Sequence, residues 1–376
     1  MPDHHFLLLG PRATGKSTWL AKHFGQALWI NLLHETTYLS LLTHPTRLHD
    51  LVLAHPKDQW VVIDEVQRVP ALLNEVHALI AKDHGRFALS GSSARKLKRT
   101  HANLLAGRAL VKQMSPLVHG ELPQQYGIMD RLAWGCLPRI VTSTKERLGI
   151  LEAYVNTYLK EEIKEEALSR RIDVFVRFLE VAALCNGQIT NISNIARDAH
   201  TQRNTATNYF EILTDTLIGC WLKAWQPKIR VKEVEHPKFY FFDTGVVRAL
   251  QGRLRDPIAN EERGLLLETY ILHELRSARA ILDVGGDFYY WRTNNGVELD
   301  FIWQRGTKRV GIEVKSSTTW ESAFEAGLRT MTERNTIKPT HCYGVYLGKE
   351  KLKRDWGLVL PINDFCNQLW AGKILG

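Results

Sequence analysis

The chain has 376 residues, 44% hydrophobic and 24% charged, which exceeds a single hydrophobic core and is too apolar for a disordered chain, so two or three domains are expected. No apolar run reaches the ~20 residues that cross a bilayer, and the start MPDHHFLLLG lacks the parts of a signal peptide, so a cytoplasmic protein with no membrane partner is expected. The formal charge of +9 suits a polyanionic partner without requiring one.

Phe6–Leu9 is a short apolar run of the kind that forms a buried parallel strand. It leads into Gly10, Pro11, Arg12, Ala13, Thr14, Gly15, Lys16 and Ser17, a complete GxxxxGK[ST], and then a helical run from Thr18. Glycines let the backbone curl so that successive N–H groups face phosphate oxygens, and the helix N-terminus adds its positive end. Lys16 is placed to reach the outer phosphates of ATP, and the Ser17 hydroxyl to ligate Mg²⁺.

A second strand, Trp60 to Ile63, ends in Asp64 and Glu65, with Ala27–Leu32 available as a strand between. Asp64 is the expected metal carboxylate and Glu65 the expected catalytic base that activates water. Pro70 opens a helix over Ala71–Lys82 that Gly85 closes. The next strand, Arg86–Ser90, runs into Gly91-Ser92-Ser93, where a hydroxyl can sense the γ-phosphate: Ser92 is the first choice and Ser90 the reserve. Arg108 follows as either an arginine finger reaching a neighbour's γ-phosphate in trans or a surface ion pair.

The strings Asp64–Pro70, Ser90–Ser93, Leu105–Arg108, Ser115-Pro-Leu, Gly135–Pro138 and Tyr154–Ile163 together resemble a group of prokaryotic AAA-type P-loop ATPases known mostly as ATP-binding proteins. The resemblance covers nearly the whole chain. It implies an α/β fold with an AAA-type parallel sheet, a C-terminal domain related to restriction endonucleases, and Arg108 as the finger with Arg95 behind it. One departure is His119-Gly120-Glu121-Leu122, where the family usually carries an aromatic residue near Gly120.

In the middle of the chain, Leu148–Ala167 reads as a solvated amphipathic helix and Asp173–Leu184 as another. A short helix at Asn194–His200, a longer one at Gln202–Leu217, and strands at Cys220–Trp225 and Lys238–Phe242 follow the winged-helix order. Thr201, Gln202, Arg203, Asn204 and Thr207 would then open the recognition helix, to contact DNA or a protein. Trp221 and Trp225 alternate in their strand and are expected in a core.

Further on, Glu268 lies in a helical stretch, Asp300 in an apolar strand, and Glu313-Val314-Lys315 in the next. Residues two apart share a strand face, and charges in apolar strands are costly unless answered. Glu268, Asp300 and Glu313 are candidate metal ligands and Lys315 a candidate catalytic lysine, a set that resembles the PD-(D/E)xK nuclease core. Its plain alternative is alternating charge on half-exposed strands. The expected division is an ATPase domain over 1–125, a helical and winged-helix domain over 126–235, and a restriction-endonuclease-like α/β domain over 236–376.

Cys136, Cys185, Cys220, Cys342 and Cys366 are scattered with no CxxC, which fits a reducing compartment and no zinc site. Three basic clusters (Arg95/Lys96/Lys98/Arg99, Lys228/Arg230/Lys232, Lys349/Lys351/Lys353/Arg354) favour a nucleic-acid partner, DNA first. The expected whole is a homo-oligomeric Mg²⁺-dependent ATPase with a possible nuclease. A DNA-binding remodeller that does not cut and an ATP-controlled protein switch are the alternatives.

Overall fold

The computed structural model describes residues 4–93, 107–159, 172–226 and 236–375, and among them the chain forms two compact units. The first carries the described residues up to Pro116 with Phe210–Ile218, and the second carries the remainder.

In the first unit, β1 (Phe6–Leu9), β2 (Leu28–Asn31), β3 (Trp60–Asp64), β4 (Arg86–Gly91) and β5 (Leu110–Gln113) form a parallel sheet in the order β2-β3-β4-β1-β5. The apolar run at β1 is continuous because both sheet faces are covered. Phe6 and Leu8 pack with Leu20, Phe24 and Val62, whereas Leu7 and Leu9 join the core of Ile63, Val76 and Phe87 on the other face. Helix α1 (Lys16–His23) follows β1, and α2 (Glu35–Thr43) and α3 (Arg47–Leu53) lie between β2 and β3. The helix expected after Pro70 is α4 (Leu72–Ala81), and Gly85 beyond it has φ +82°. Parallel pairing brings the C-terminal ends of β1, β3 and β4 to one edge of the sheet, the edge where open α/β sheets hold ligands.

The second unit is built on a mixed eight-stranded sheet of β6 (Gly219–Ala224), β7 (Lys238–Phe241), β8 (Asp287–Arg292), β9 (Glu298–Arg305), β10 (Lys308–Lys315), β11 (Cys342–Tyr346), β12 (Leu352–Arg354) and β13 (Gly357–Pro361). Its order is β12-β13-β11-β10-β9-β8-β6-β7. A long helix, Asn260–Ile281, precedes β8, and a shorter one, Ala326–Glu333, joins β10 to the parallel strand β11.

Two expectations change here. The helix read from Leu148 to Ala167 is α-helical over Arg147–Ala153 and π-helical over Tyr154–Leu159, and the rest of that range lies outside the described residues. The hairpin expected from the winged-helix order does form, β6 against β7, but β6 also pairs in parallel with β8 through Lys223↔Tyr289 and Ala224↔Tyr290. A wing in solvent would expose one face. Here Leu222, Phe239, Tyr240 and Phe241 are all buried, so the hairpin needs the larger sheet beside it. Residues on both sides of position 235 thus belong to one sheet.

The helices at Ile172–Leu184, Ile192–Asp198 and Arg203–Asp215 occur in the expected order. Trp225 is buried in the core with Trp291 and Trp320, and Trp221 is half-buried edge-on to Phe239. All five cysteines are free. Among the described residues no helix is long and apolar enough to cross a membrane.

Candidate functional site

The loop after β1 is held from both sides. Gly10 N donates to Gly91 O at 3.2 Å, and Met114 N donates to Leu9 O at 2.7 Å. A Cβ at Gly10 would lie 2.3 Å from the Met114 carbonyl oxygen, so only glycine fits between β1 and the chain leaving β5. The loop then turns through left-handed backbone at Ala13 (φ +64°) and Gly15 (φ +92°), and Thr14 Oγ1 donates to Pro11 O at 2.8 Å. Lys16 is buried, and its Nζ donates to Gly10 O at 2.8 Å and Pro11 O at 2.9 Å, inside the curl of the loop. Arg12 is half-buried, while Ser17 and Thr18 are exposed on the first turn of α1. That turn carries no acidic side chain, which leaves its positive end available to an anion.

Across the same edge, Asp64 is buried at the tip of β3. Glu65 leaves the strand with φ +61°, a left-handed conformation that costs ~1–3 kcal/mol in a non-glycine residue and turns the chain sharply. The Ser90 hydroxyl donates to the Asp64 carboxylate, and Glu65 N donates to Ser90 Oγ at 3.3 Å. Ser92 is placed differently. Its Oγ accepts from Gln67 Nε2 at 3.0 Å, and Gln67 Nε2 also bonds the Glu65 carboxylate. Ser90 therefore touches the acidic pair directly, and Ser92 reaches it through Gln67. Sequence reading missed Gln67; the signal available was a single amide in an otherwise apolar and basic turn.

Arg108 is exposed, with Nη1 3.4 Å from His77 O. It precedes β5, whose first residue Leu110 pairs with Phe6 at the start of β1. Arg108 is thus one strand length, ~13 Å, from the loop at the other end of β1. Arg95 lies outside the described residues, as do the first two basic clusters. The third is partly committed to ion pairs, Lys351 with Asp364 at 3.0 Å and Arg354 with Glu325 at 3.2 Å.

In the second unit the sheet assembles Glu268, Asp300, Glu313 and Lys315 as one cluster and adds three residues not read from the sequence. Lys238, at the start of β7, has Nζ 2.5 Å from Glu298 Oε1 and 3.8 Å from Glu268 Oε2. Tyr240 donates its hydroxyl to Glu268 Oε2 at 2.8 Å. Lys315 pairs with Glu313 and lies 4.0 Å from Asp300 Oδ2, which accepts from Val314 N at 2.8 Å. Glu313 Oε2 is buried with no hydrogen-bond partner among the described residues.

Burial and the Asp300 charge push Glu268 up to about 7 against the opposing pull of Lys238 and Tyr240. Burial and Asp300 likewise raise Glu313 well above the ordinary range. Burial disfavours the charged form of both lysines, but carboxylates outweigh it and raise them: Glu268, Asp300 and Glu298 for Lys238, Asp300 and Glu313 for Lys315. The oxygen donors suit a hard cation. Yet among the described residues no group of three His, Cys, Asp or Glu side chains converges on one ion position. The carboxylates are answered instead by the two ammonium groups, the Arg292 guanidinium, the Tyr240 hydroxyl and the Val314 N–H.

At the start of the expected recognition helix, Gln202, Arg203 and Asn204 are exposed, whereas Thr201 and Thr207 are half-buried and Thr207 Oγ1 is tied to Arg203 O at 3.0 Å.

Comparison with known proteins divides the chain in three. Residues 3–122 match the AAA domain family. The N-terminal segment is a P-loop domain of the AAA type. Residues 126–256 match a domain of unknown function, DUF8612, and residues 263–365 another, DUF4143. Lys238 and Tyr240 fall in the former and Glu268, Glu298, Asp300, Glu313 and Lys315 in the latter, so the cluster draws on both segments. An uncharacterised protein of Mycobacterium tuberculosis is 29% identical over 83% of this chain and 70% of its own length. One from Haemophilus influenzae is 24% identical over 68% of this chain and 65% of its own. A structure of the Aeropyrum pernix Orc1 protein in complex with DNA aligns over 68% of this chain and 88% of that one, at 13% identity and a TM-score of 0.26.

Proposed function

We propose that the chain is a Mg²⁺-dependent ATPase that acts on or is regulated by nucleic acid, DNA first, and that its second acidic cluster is a metal-dependent nuclease site. The observation that carries the ATPase reading is Lys16 held inside the glycine-bearing loop, at the same edge of the sheet as the tip of β3 with Asp64 and Glu65. Lys16 exchanges two carbonyl partners for the outer phosphates of ATP, with backbone N–H groups from Arg12 to Thr18 around them. Ser17 and Asp64 supply hard oxygen donors for Mg²⁺, whose part is to neutralise phosphate charge. Glu65 takes the proton of the attacking water, with Gln67 fixing its carboxylate. Ser90, and Ser92 through Gln67, link that arrangement to β4. Arg108 sits too far from its own loop to serve there and acts in trans, which requires a homo-oligomer.

Two variants test this. Glu65→Gln should stop phosphate release while ATP still binds, and Lys16→Ala should abolish both. Unchanged turnover in the pair removes the mechanism.

The nuclease reading is supported by Glu268, Asp300, Glu313 and Lys315 lying along the succession of long helix, β8, β9, β10, helix Ala326–Glu333 and β11. It predicts Mg²⁺-dependent nicking that Lys315→Ala abolishes while ATP hydrolysis survives. A second reading, nucleic-acid binding without cutting, is favoured by one specific observation: the cluster's carboxylates are already answered by lysines of the chain. It predicts salt-sensitive, DNA-stimulated hydrolysis with strands intact.

A further inference from the structure

Four carboxylates, Glu268, Glu298, Asp300 and Glu313, face the two ammonium groups of Lys238 and Lys315 in the second unit. Lys315 is accounted for by its strand position beside Glu313. Lys238 is not, because it arrives from a different segment on β7.

The strand that carries it is pinned on both sides. Leu222↔Lys238 is the last pair of the β6–β7 ladder, Ile189 bridges Lys238 from the other edge, and Thr190 N donates to Pro237 O at 2.9 Å. Only 5% of Lys238 is exposed, and its Nζ also lies 5.3 Å from the centre of the Tyr290 ring. A charge so enclosed cannot be a solvated surface lysine; it persists because the carboxylates answer it. Lys238 Nζ pairs with Glu298, whose other oxygen lies 3.5 Å from Arg292 Nη1, and is 3.8 Å from Glu268 Oε2. Asp300 instead accepts from Val314 N and Glu313 pairs with Lys315, both on β10. Glu313 Oε2 is buried and unpaired among the described residues, and among them no three carboxylates converge on one point.

We infer that Lys238 is a resident cation of this cluster, a built-in ammonium that competes with a divalent metal ion for Glu268 and Glu298 and so sets the affinity of the site. The inference rests on reading the cluster as a metal site. Removing the ammonium leaves the same carboxylates with one fewer counter-charge, so a divalent ion should bind more tightly in its absence.

The experiment uses the full chain without nucleotide and Mn²⁺ as the probe. Binding is followed by titration calorimetry and by the electron paramagnetic resonance signal of free Mn²⁺, with Glu313→Gln to assign the binding event to this cluster. Lys238→Gln should tighten Mn²⁺ binding by about tenfold or more. Lys238→Arg, which keeps the charge, should resemble the wild type. Mn²⁺ should also raise the melting temperature of Lys238→Gln more than that of the wild type.

Equal affinity in wild type and Lys238→Gln overturns the inference and leaves the metal reading standing. Binding in the variant but not in the wild type supports the inference and removes the metal reading for the native chain. Absence of binding in both overturns the two together. Should Lys238→Gln unfold in EDTA, recovery of the fold on adding Mn²⁺ supports the inference, and failure to recover overturns it.

Discussion

Gln67 donates to the Ser92 hydroxyl at 3.0 Å and reaches the Glu65 carboxylate with the same amide nitrogen. One side chain therefore joins the tip of β4 to the residue proposed as base. Its room is narrow, since a Cβ on Gly91 would lie 2.7 Å from Gln67 Oε1. Gln67→Ala keeps the phosphate loop and releases Glu65 from its orientation. Phosphate release should fall about tenfold with ATP binding little changed, whereas Glu65→Gln should cost ~10²–10⁴-fold. Steady-state phosphate assays with a nucleotide-binding titration check this; equal losses in the two variants would contradict a positioning role.

Gly10 supports a second expectation. The Met114 carbonyl oxygen that a Cβ would meet at 2.3 Å belongs to backbone fixed by the bond to Leu9 O, so it cannot yield as a flexible side chain would. Gly10→Ala should destabilise the first unit by ~1–3 kcal/mol and weaken ATP binding. Gly120→Ala, where nothing lies within 4 Å, is the matched control and should be neutral. Thermal melting of both variants decides the matter.

The first unit was legible because its signals are local. A strand, a glycine-bearing turn with lysine and serine, and an acid-tipped strand each fit within about ten residues, and parallel pairing gathers them at one edge. The choice between Ser90 and Ser92 was not legible. Both lie at the end of one strand, and it is the β3–β4 register, which pairs Ile63 with Leu89, that sets Ser90 beside Asp64 and leaves Ser92 to Gln67. In the second unit the order of Glu268, Asp300, Glu313 and Lys315 could be read along the chain. Lys238 could not, because its place depends on β6 pairing with β8 across the sequence. An apolar hairpin has the same pattern whether it is a wing or the end of a larger sheet. His119, where the chain departs from the resemblance, is a bonded part of the second unit.

Asn186 fastens β7 to the long helix. Its Oδ1 accepts from Phe241 N at 2.8 Å, its Nδ2 donates to Thr269 Oγ1 at 2.8 Å, and the residue is buried. Asn186→Ala leaves the Phe241 N–H without that acceptor, a loss of ~1–3 kcal/mol. Urea unfolding should show the midpoint lowered with an unchanged slope. Since Tyr240 and Lys238 ride on the same strand, the altered β7 should also disturb the bond to Glu268, which the Tyr240 ring resonances would report. A midpoint within error of the wild type would mean that the strand is held by its sheet neighbours alone.

His119 predicts a pH dependence of known sign. Arg131 Nη1 donates to His119 Nδ1 at 2.9 Å, His119 Nε2 donates to Asn367 Oδ1 at 3.1 Å, and His119 N donates to Glu274 Oε1 at 2.8 Å. This pattern requires the neutral ring. Burial and then the Arg131 charge lower its pKa from the usual value of 6.5, against the opposing pull of Glu274 and Asn367. As pH falls below ~6.5 the unfolded chain takes up a proton that the folded chain refuses, so this contribution to stability is present above ~6.5 and lost progressively below it. Glu274, raised by burial, acts with the opposite sign, and comparing variants at the same pH removes its share. Between pH 7.5 and 5.5 the wild type should lose more stability than His119→Gln, by at most about 1 kcal/mol because the ring is only half-buried. Melting temperatures of the two proteins at both pH values test this, and equal losses would show that His119 does not titrate differently on folding.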